Sequence, residues 1–119
     1  MRSAKQRKIG WALVLIWVTL VAYLSFSPRI GLEIPAALDF DKLAHFVMYA
    51  SLALLLSIPL EPFSKAFNFM LVLAFLFAGA TELTQHYLIQ NRTGDWYDFA
   101  ANLAGLGFVT IIFWKRIKT

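Results

Sequence analysis

The sequence contains no cysteine, which excludes disulfide bonds, zinc–thiolate sites and thiol catalysis. Charged residues are also scarce: they make up 15% of the chain, whereas they make up about 25% of an average globular domain. Hydrophobic residues reach 60%, and the mean hydropathy is +0.65. A chain of 119 residues suffices for one domain. It is too small to bury so much apolar surface within itself, which favours a membrane protein.

Four apolar segments have the length needed to cross a bilayer, which takes about 20 mostly apolar residues. They cover residues 9–26, 43–60, 66–87 and 96–114. The first segment has eighteen uncharged residues, more than the ~7–15 of a signal-peptide core, so we expect a retained helix. The sequence therefore predicts an all-α fold, in which residues 1–119 form a single domain, an integral membrane bundle of four transmembrane helices.

The basic residues predict the orientation of this bundle, because cytoplasmic loops carry an excess of lysine and arginine. Eight of the eleven lie at the two termini and in the turn between the second and third segments, and three lie in the other two loops. Both termini are therefore expected in the cytoplasm. The terminal basic clusters adjoin apolar segments, which explains the net charge of +4 without nucleic-acid binding.

Most other polar residues gather at the opposite, outer side of the predicted bundle. Asp41, His45 and Tyr49 are spaced by four residues, and Glu82 and Gln85 by three, so each set lines one helical face. A third stripe has 3-4-3 spacing and consists of Asp95, Asp98, Asn102 and Gly105. Because ionisable groups inside a membrane generally face the bundle interior or a water-filled cavity, we expect the three stripes to converge on an outward-facing cleft.

Structural roles are open for several of these residues. Asp39 and Asp95 suit helix N-caps. Glu82 and Arg92 suit a structural ion pair, and His45 an interfacial histidine with satisfied hydrogen bonds. The small residues around Asn102 and Gly105 suit close helix packing in a membrane.

Two stretches carry a family resemblance. The stretch "DKLAHFVMYASLALLL" fits D-K-x-x-H-F-x-x-Y-x-x-L, and "ELTQHYLIQNRTGDWYDFAANLAG" fits E-x-x-Q followed by R-x-G-D-x-x-D-x-x-x-N-x-x-G. In this order they resemble the VanZ-like family of bacterial membrane proteins, which is associated with teicoplanin resistance. Many relatives carry a further glycine where this chain has Val109, a departure that concerns helix packing.

The resemblance implies location in the bacterial cytoplasmic membrane and a set of signature positions. In this chain those positions are Asp41, Lys42, His45, Tyr49, Glu82, Gln85, Arg92, Asp98, Asn102 and Gly105. Except for Gly105, we take them as candidate ligand-binding residues. The family has no settled biochemical activity, so the resemblance supplies a context and no mechanism.

Two functions fit this pattern. The first is binding of an amphiphilic envelope molecule, namely a lipid headgroup, a lipid-linked cell-wall precursor or a lipoglycopeptide, with Lys42 and Arg92 holding an anionic group. The apolar face of the fourth segment would then take an acyl or prenyl chain. Membrane lipids are thus the expected partners, and no cofactor is expected.

The second function is an intramembrane acid–base or metal-assisted hydrolase or transferase. Its candidate catalytic residues are His45, Glu82 and Asp98. No G-x-S-x-G motif supports a nucleophile, and a divalent ion on Asp41, His45, Glu82 and Asp98 is a weaker possibility. Transport is disfavoured because the inner half of the predicted bundle has no matching polar residues.

Overall fold

The computed structural model describes residues 2–26, 40–88 and 96–118. These ranges form four helices and no strand: α1 (Ala4–Phe26), α2 (Phe40–Leu56), α3 (Lys65–Leu88) and α4 (Trp96–Lys118). The predicted all-α class is confirmed. The expected caps Asp39 and Asp95 and the expected ligand-binding residue Arg92 lie outside the described residues, as does the side chain of Asp41.

Three of the helices, α1, α3 and α4, are long and apolar enough to cross a membrane. Helix α2 has 17 residues, or about 26 Å at about 1.5 Å per residue, slightly less than the ~30 Å hydrocarbon core. It ends at Leu56, whereas the sequence predicted an apolar segment to residue 60. Pro59 explains the early end, because proline disfavours helical geometry in the residue before it and has no N–H to donate.

One end of the bundle, here called the basic end, collects the two termini and the α2–α3 turn. Arg2 pairs with Glu61 and donates a hydrogen bond to the carbonyl of Ser57 at 2.8 Å. On the other side of the turn, the rings of Phe63 and Trp114 lie 5.6 Å apart. The opposite end, where α1 and α3 end and α2 and α4 begin, is called the polar end.

Helices α2 and α4 approach each other closely at Gly105. A Cβ atom added there would collide with the backbone oxygen of Phe46 and would lie 2.8 Å from the backbone nitrogen of Ala50. The small-residue face of α4 is therefore covered by α2 at this position, as the packing interpretation expected. The suggestion that this face holds an acyl chain is wrong at Gly105. Gly107 is different, since a Cβ there meets nothing within 4 Å.

Large apolar side chains are exposed on the outward faces of all four helices. Examples are Leu15, Val47, Phe69 and Ile111, each about half exposed or more. Such continuous apolar surface is rare on proteins surrounded by water. A bilayer solvates it at no cost, so the exposed faces agree with a membrane environment.

Candidate functional site

Helices α2 and α4 bring four polar side chains together at the polar end. The Lys42 ammonium lies 3.2 Å from Oδ1 of Asp98, and Nε2 of His45 lies 3.6 Å from Oδ2 of the same carboxylate. One turn deeper, Nδ1 of His45 and Oδ1 of Asn102 are hydrogen-bonded at 2.8 Å. Helix period explains the arrangement, because residues three or four apart share a face and each helix contributes two of them.

Helix α3 adds Glu82 to this group. One ligand atom each from His45, Glu82 and Asp98 can be chosen so that all three lie within 4.8 Å of one another. All three residues are buried, with exposed fractions of 8% or less. The three predicted stripes therefore meet, and the residues from different helices lie close enough to act on one small group.

Tyr49 completes the polar cluster, which we define as Lys42, His45, Tyr49, Glu82, Asp98 and Asn102. The Tyr49 side chain is 1% exposed and lies beside Thr81 and Glu82 of α3. Its hydroxyl makes no hydrogen bond of normal geometry within the described residues, and neither does the amide nitrogen of Asn102, which is 0% exposed. Buried polar atoms without partners are uncommon in folded proteins and call for an explanation.

Lys42 is the cluster residue closest to the surroundings of the protein. Its side chain is 37% exposed, whereas that of Asp98 is 8% exposed. The cluster is thus a buried layer of polar groups with one half-exposed cation at its edge. Among the cluster residues, an anionic group arriving from the polar end would meet Lys42 before the more deeply buried carboxylates of Glu82 and Asp98.

Gln85, another predicted ligand-binding residue, has a structural contact in this fold. Its Nε2 donates a hydrogen bond to the carbonyl oxygen of Ser25 at 2.8 Å. Ser25 lies in the last turn of α1, where carbonyl groups have no partner within the helix. Gln85 therefore ties the end of α1 to α3, one turn beyond Glu82.

An apolar cavity of about 240 Å³ opens between α1, α2 and α3. Its lining consists of Val14, Val18, Leu52, Leu56, Met70, Leu73, Ala74 and Phe77. Leu52 lies three residues after Tyr49 and Phe77 lies four residues before Thr81, so the cavity begins about one turn below the polar cluster. The chain thus places an apolar hollow next to a buried polar layer.

Two contacts of this region were missed in the sequence. Thr81 lies beside the Tyr49 hydroxyl. Its spacing of four residues from Gln85 is the signal that could have placed it on the polar face of α3. The Ser25 carbonyl carries no side-chain signal at all, since any residue would present the same acceptor. Only the packing of α1 on α3 makes it a partner of Gln85.

The sequence profile of the VanZ/LLP1 family matches residues 5–118, a range that includes every residue of the polar cluster and all four helices except Ala4, the first residue of α1. No curated protein and no solved structure gives a significant match. Since the profile covers nearly the whole chain and three helices can cross a membrane, this chain is a membrane protein that belongs to the VanZ family, which is associated with teicoplanin resistance.

Proposed function

We propose that this protein binds an amphiphilic envelope molecule at its polar end and thereby contributes to teicoplanin tolerance. The molecule would be a lipid headgroup, a lipid-linked cell-wall precursor or a lipoglycopeptide. One observation carries the proposal: buried ionisable side chains from three helices converge in one layer at one end of an apolar bundle. Ionisable groups at membrane depth are costly, which makes them functional candidates.

The expected orientation puts this layer where such molecules reside. The basic end holds Arg2, Lys5, Arg7, Lys8, Lys65, Lys115 and Arg116. By the positive-inside rule this end faces the cytoplasm, so that both termini are cytoplasmic and all four helices cross the inner membrane. The polar end then lies at the outer membrane–water boundary.

Lys42 is the residue that we expect to meet the headgroup. Its half-exposed ammonium stands at the edge of the layer and already contacts the Asp98 carboxylate. A phosphate or carboxylate of the ligand would share this ammonium with Asp98, as a lysine ammonium has three donors. Asn102 and Tyr49 supply buried polar atoms for hydroxyl or amide groups further in.

The apolar cavity suits the chain of the same molecule. It lies about one turn from Tyr49 on the side away from the polar end, and its described lining consists only of apolar side chains. With a volume of about 240 Å³, the cavity has room for part of such a chain. The remainder of an acyl or prenyl chain would extend into the bilayer.

Native mass spectrometry of the purified full chain tests the binding. We expect an anionic lipid with a phosphate headgroup to stay bound to the wild type and to be lost from Lys42→Met. Lys65→Met is the matched control, because Lys65 is exposed at the basic end. Equal retention by all three proteins, or a wild type without headgroup preference, would contradict the proposal.

The contribution to tolerance is tested in cells that depend on this protein for growth with teicoplanin. Asp98→Asn removes one charge from the buried layer, and we expect it to lower the tolerated concentration. Glu61→Gln removes an exposed acid at the basic end and should leave tolerance unchanged. Comparable protein levels are checked by immunoblot, and equal tolerance of both variants and the wild type would count against a role for the layer.

A second candidate function is supported by the closeness of His45 to two carboxylates. An imidazole close to Asp98 and Glu82 has the composition of an acid–base or metal-assisted site for hydrolysis or transfer on a lipid-linked headgroup. Its test is release of the headgroup from a labelled lipid-linked phosphate by the purified protein. Release that His45→Gln abolishes supports an enzyme; binding without release supports the first function.

A further inference from the structure

We propose that His45, Glu82 and Asp98 form a binding site for one divalent cation of the Zn²⁺ or Mn²⁺ type. This inference goes beyond the proposed function, because it concerns the protein alone and needs no envelope molecule.

The three side chains have the right donor atoms at nearly the right separations. Two ligands of a tetrahedral zinc ion at about 2.1 Å from the metal lie about 3.4 Å apart. Nε2 of His45 and Oδ2 of Asp98 are 3.6 Å apart, close to this value. Glu82 has a ligand atom within 4.8 Å of a ligand atom of each partner, so binding of an ion requires its side chain to move toward them.

The hydrogen bond between Nδ1 of His45 and Asn102 leaves Nε2, the nitrogen nearer Asp98, available to bind a metal. An amide oxygen only accepts hydrogen bonds, so Nδ1 of His45 carries the proton in its 2.8 Å contact with Oδ1 of Asn102. In neutral imidazole, Nε2 then carries a lone pair and no proton. Nε2 is also the atom that approaches the Asp98 carboxylate. Two acceptors side by side repel each other unless a cation or a proton lies between them.

Asn102 and Lys42 occupy the positions of supporting residues around a metal. Histidine ligands commonly donate their other N–H to an oxygen, which orients the ring, and carboxylate ligands are themselves hydrogen-bonded. Asn102 accepts the other N–H of His45. Lys42 contacts Oδ1 of Asp98, so Oδ2 is the oxygen that faces the imidazole. The contacts with Asn102 and Lys42 therefore orient Nε2 of His45 and Oδ2 of Asp98, the two atoms that would bind the ion.

The ligand set leaves room for a further ligand on the ion. Two of its three members are carboxylates, which supply anionic oxygen ligands when ionised. With only three protein ligands, a divalent ion retains positions for water or a phosphate oxygen.

Two buried polar atoms at the site are independent evidence for a missing partner. The hydroxyl of Tyr49 lies beside Glu82, and the Asn102 amide belongs to the group that orients His45. In the described part of the chain neither the hydroxyl nor the amide nitrogen has a hydrogen-bond partner of normal geometry, although Thr81 lies beside the hydroxyl. An oxygen ligand on the ion, from water or from phosphate, would be an acceptor for these donors.

The donor set selects the class of ion. Calcium and magnesium prefer all-oxygen sites. Imidazole suits zinc and the later first-row metals, and carboxylate suits manganese as well. One nitrogen and two carboxylates therefore predict Zn²⁺ or Mn²⁺ in preference to Ca²⁺ or Mg²⁺.

A protonated His45 is the competing arrangement, because a proton on Nε2 would also lie between the imidazole and the Asp98 carboxylate. Thermal unfolding of the EDTA-treated full chain in detergent separates the two. We expect added Zn²⁺ or Mn²⁺ to raise the melting temperature of the wild type and elemental analysis to find one equivalent bound. Ca²⁺ and Mg²⁺ at equal concentration should have little effect.

Isosteric variants locate the site. In Glu82→Gln and Asp98→Asn we expect the ion-dependent shift to vanish while helix content by circular dichroism is kept. Asn102→Leu, which removes only the supporting residue, should weaken Zn²⁺ binding by about 10–100-fold. His86→Gln and Glu61→Gln are the matched controls, since both residues are exposed, and they should keep the full shift.

Two results would overturn the cation site: a wild type that neither binds an equivalent nor melts higher with Zn²⁺ or Mn²⁺, or a shift of equal size in Glu82→Gln. A general loss of folding is recognised separately, because it lowers the melting temperature without any ion. Lipid retention is measured on its own by mass spectrometry. Ion binding without lipid retention would refute only the proposed function, and the reverse result would refute only the cation site.

Discussion

Asn102 is the residue on which the order of the polar layer depends. It is fully buried, and its amide oxygen is the acceptor for Nδ1 of His45. Loss of a hydrogen-bond partner that stays buried costs about 1–3 kcal/mol in soluble proteins. In membranes the measured average is nearer 0.6 kcal/mol.

Asn102→Leu tests this contact, because leucine has a similar volume and no acceptor. We expect a loss of about 1 kcal/mol in the free energy of unfolding, from the stranded imidazole N–H. The measurement is an SDS titration in mixed micelles. Asn68→Leu, at an exposed position of α3, should not destabilise the protein. Equal stability of Asn102→Leu and the wild type would mean that the His45–Asn102 bond contributes nothing.

Among the elements, α2 and α4 form the most tightly joined pair. Gly105 lets the two backbones approach, and the ring pair Phe46–Phe108 packs beside it at 5.6 Å. Because His45 is on α2 and its partners Asp98 and Asn102 are on α4, the same contact sets the width of the polar layer. A glycine on one helix thus controls the geometry of a site one turn away.

Gly105→Val is expected to separate α2 from α4. The new side chain would overlap the backbone of Phe46, and overpacking of this kind typically costs about 1–3 kcal/mol. Zn²⁺ binding should weaken as well, because His45 moves away from Asp98. Gly107→Val is the matched control, since a Cβ there enters open space. A Gly105→Val protein as stable as Gly107→Val would show that the close approach is absent.

Helix α1 is attached to the other helices through a few specific contacts. Nε1 of Trp17 donates to the Met48 carbonyl at 2.9 Å, Gln85 holds the Ser25 carbonyl, and Gly10 lies against Pro59. Any side chain at residue 10 would disrupt the Gly10–Pro59 contact, because an added Cβ would lie 2.7 Å from the Pro59 nitrogen. These contacts position α1 beside the apolar cavity, which it helps to line.

Gln85→Leu should release the end of α1 near the polar end. The Ser25 carbonyl then loses its donor, so we expect faster amide hydrogen exchange in residues 22–26 with little change at residues 10–18. Hydrogen exchange followed by mass spectrometry measures both segments. His86→Leu, an exposed neighbour on the same helix, serves as the comparison and should leave exchange unchanged. Unaltered exchange in Gln85→Leu would mean that contacts other than the Gln85–Ser25 hydrogen bond hold the end of α1.

For the whole molecule, we expect the basic end to face the cytoplasm, because the basic residues of the termini and of the α2–α3 turn gather there. The termini and the 57–64 turn lie together at the basic end. Reporter fusions test the orientation: a fluorescent protein fused to either terminus should fluoresce, and alkaline phosphatase at the same places should be inactive. An active phosphatase at either terminus would reverse the assignment of that end.

Much of the fold followed from the order of the residues. Apolar length and helix period predicted all four helices, because a chain in lipid must satisfy its backbone hydrogen bonds within each segment. Helix ends were predicted less well, since Ser3 and Gln6 form a reciprocal cap that starts α1 at Ala4, and the turn before Pro59 shortens α2.

The residues of the polar layer were also predicted, because residues spaced by three or four lie on one helical face in any helix. Their partners were not. Three arrangements depend on the rotation of each helix about its axis: Asp98 meets both Lys42 and His45, Asn102 orients His45, and Gln85 binds the end of α1. Side-chain packing between helices sets this rotation, and no spacing within one helix encodes it. The sequence alone therefore determined the helices and their polar faces, and only the tertiary structure could decide which of those side chains touch.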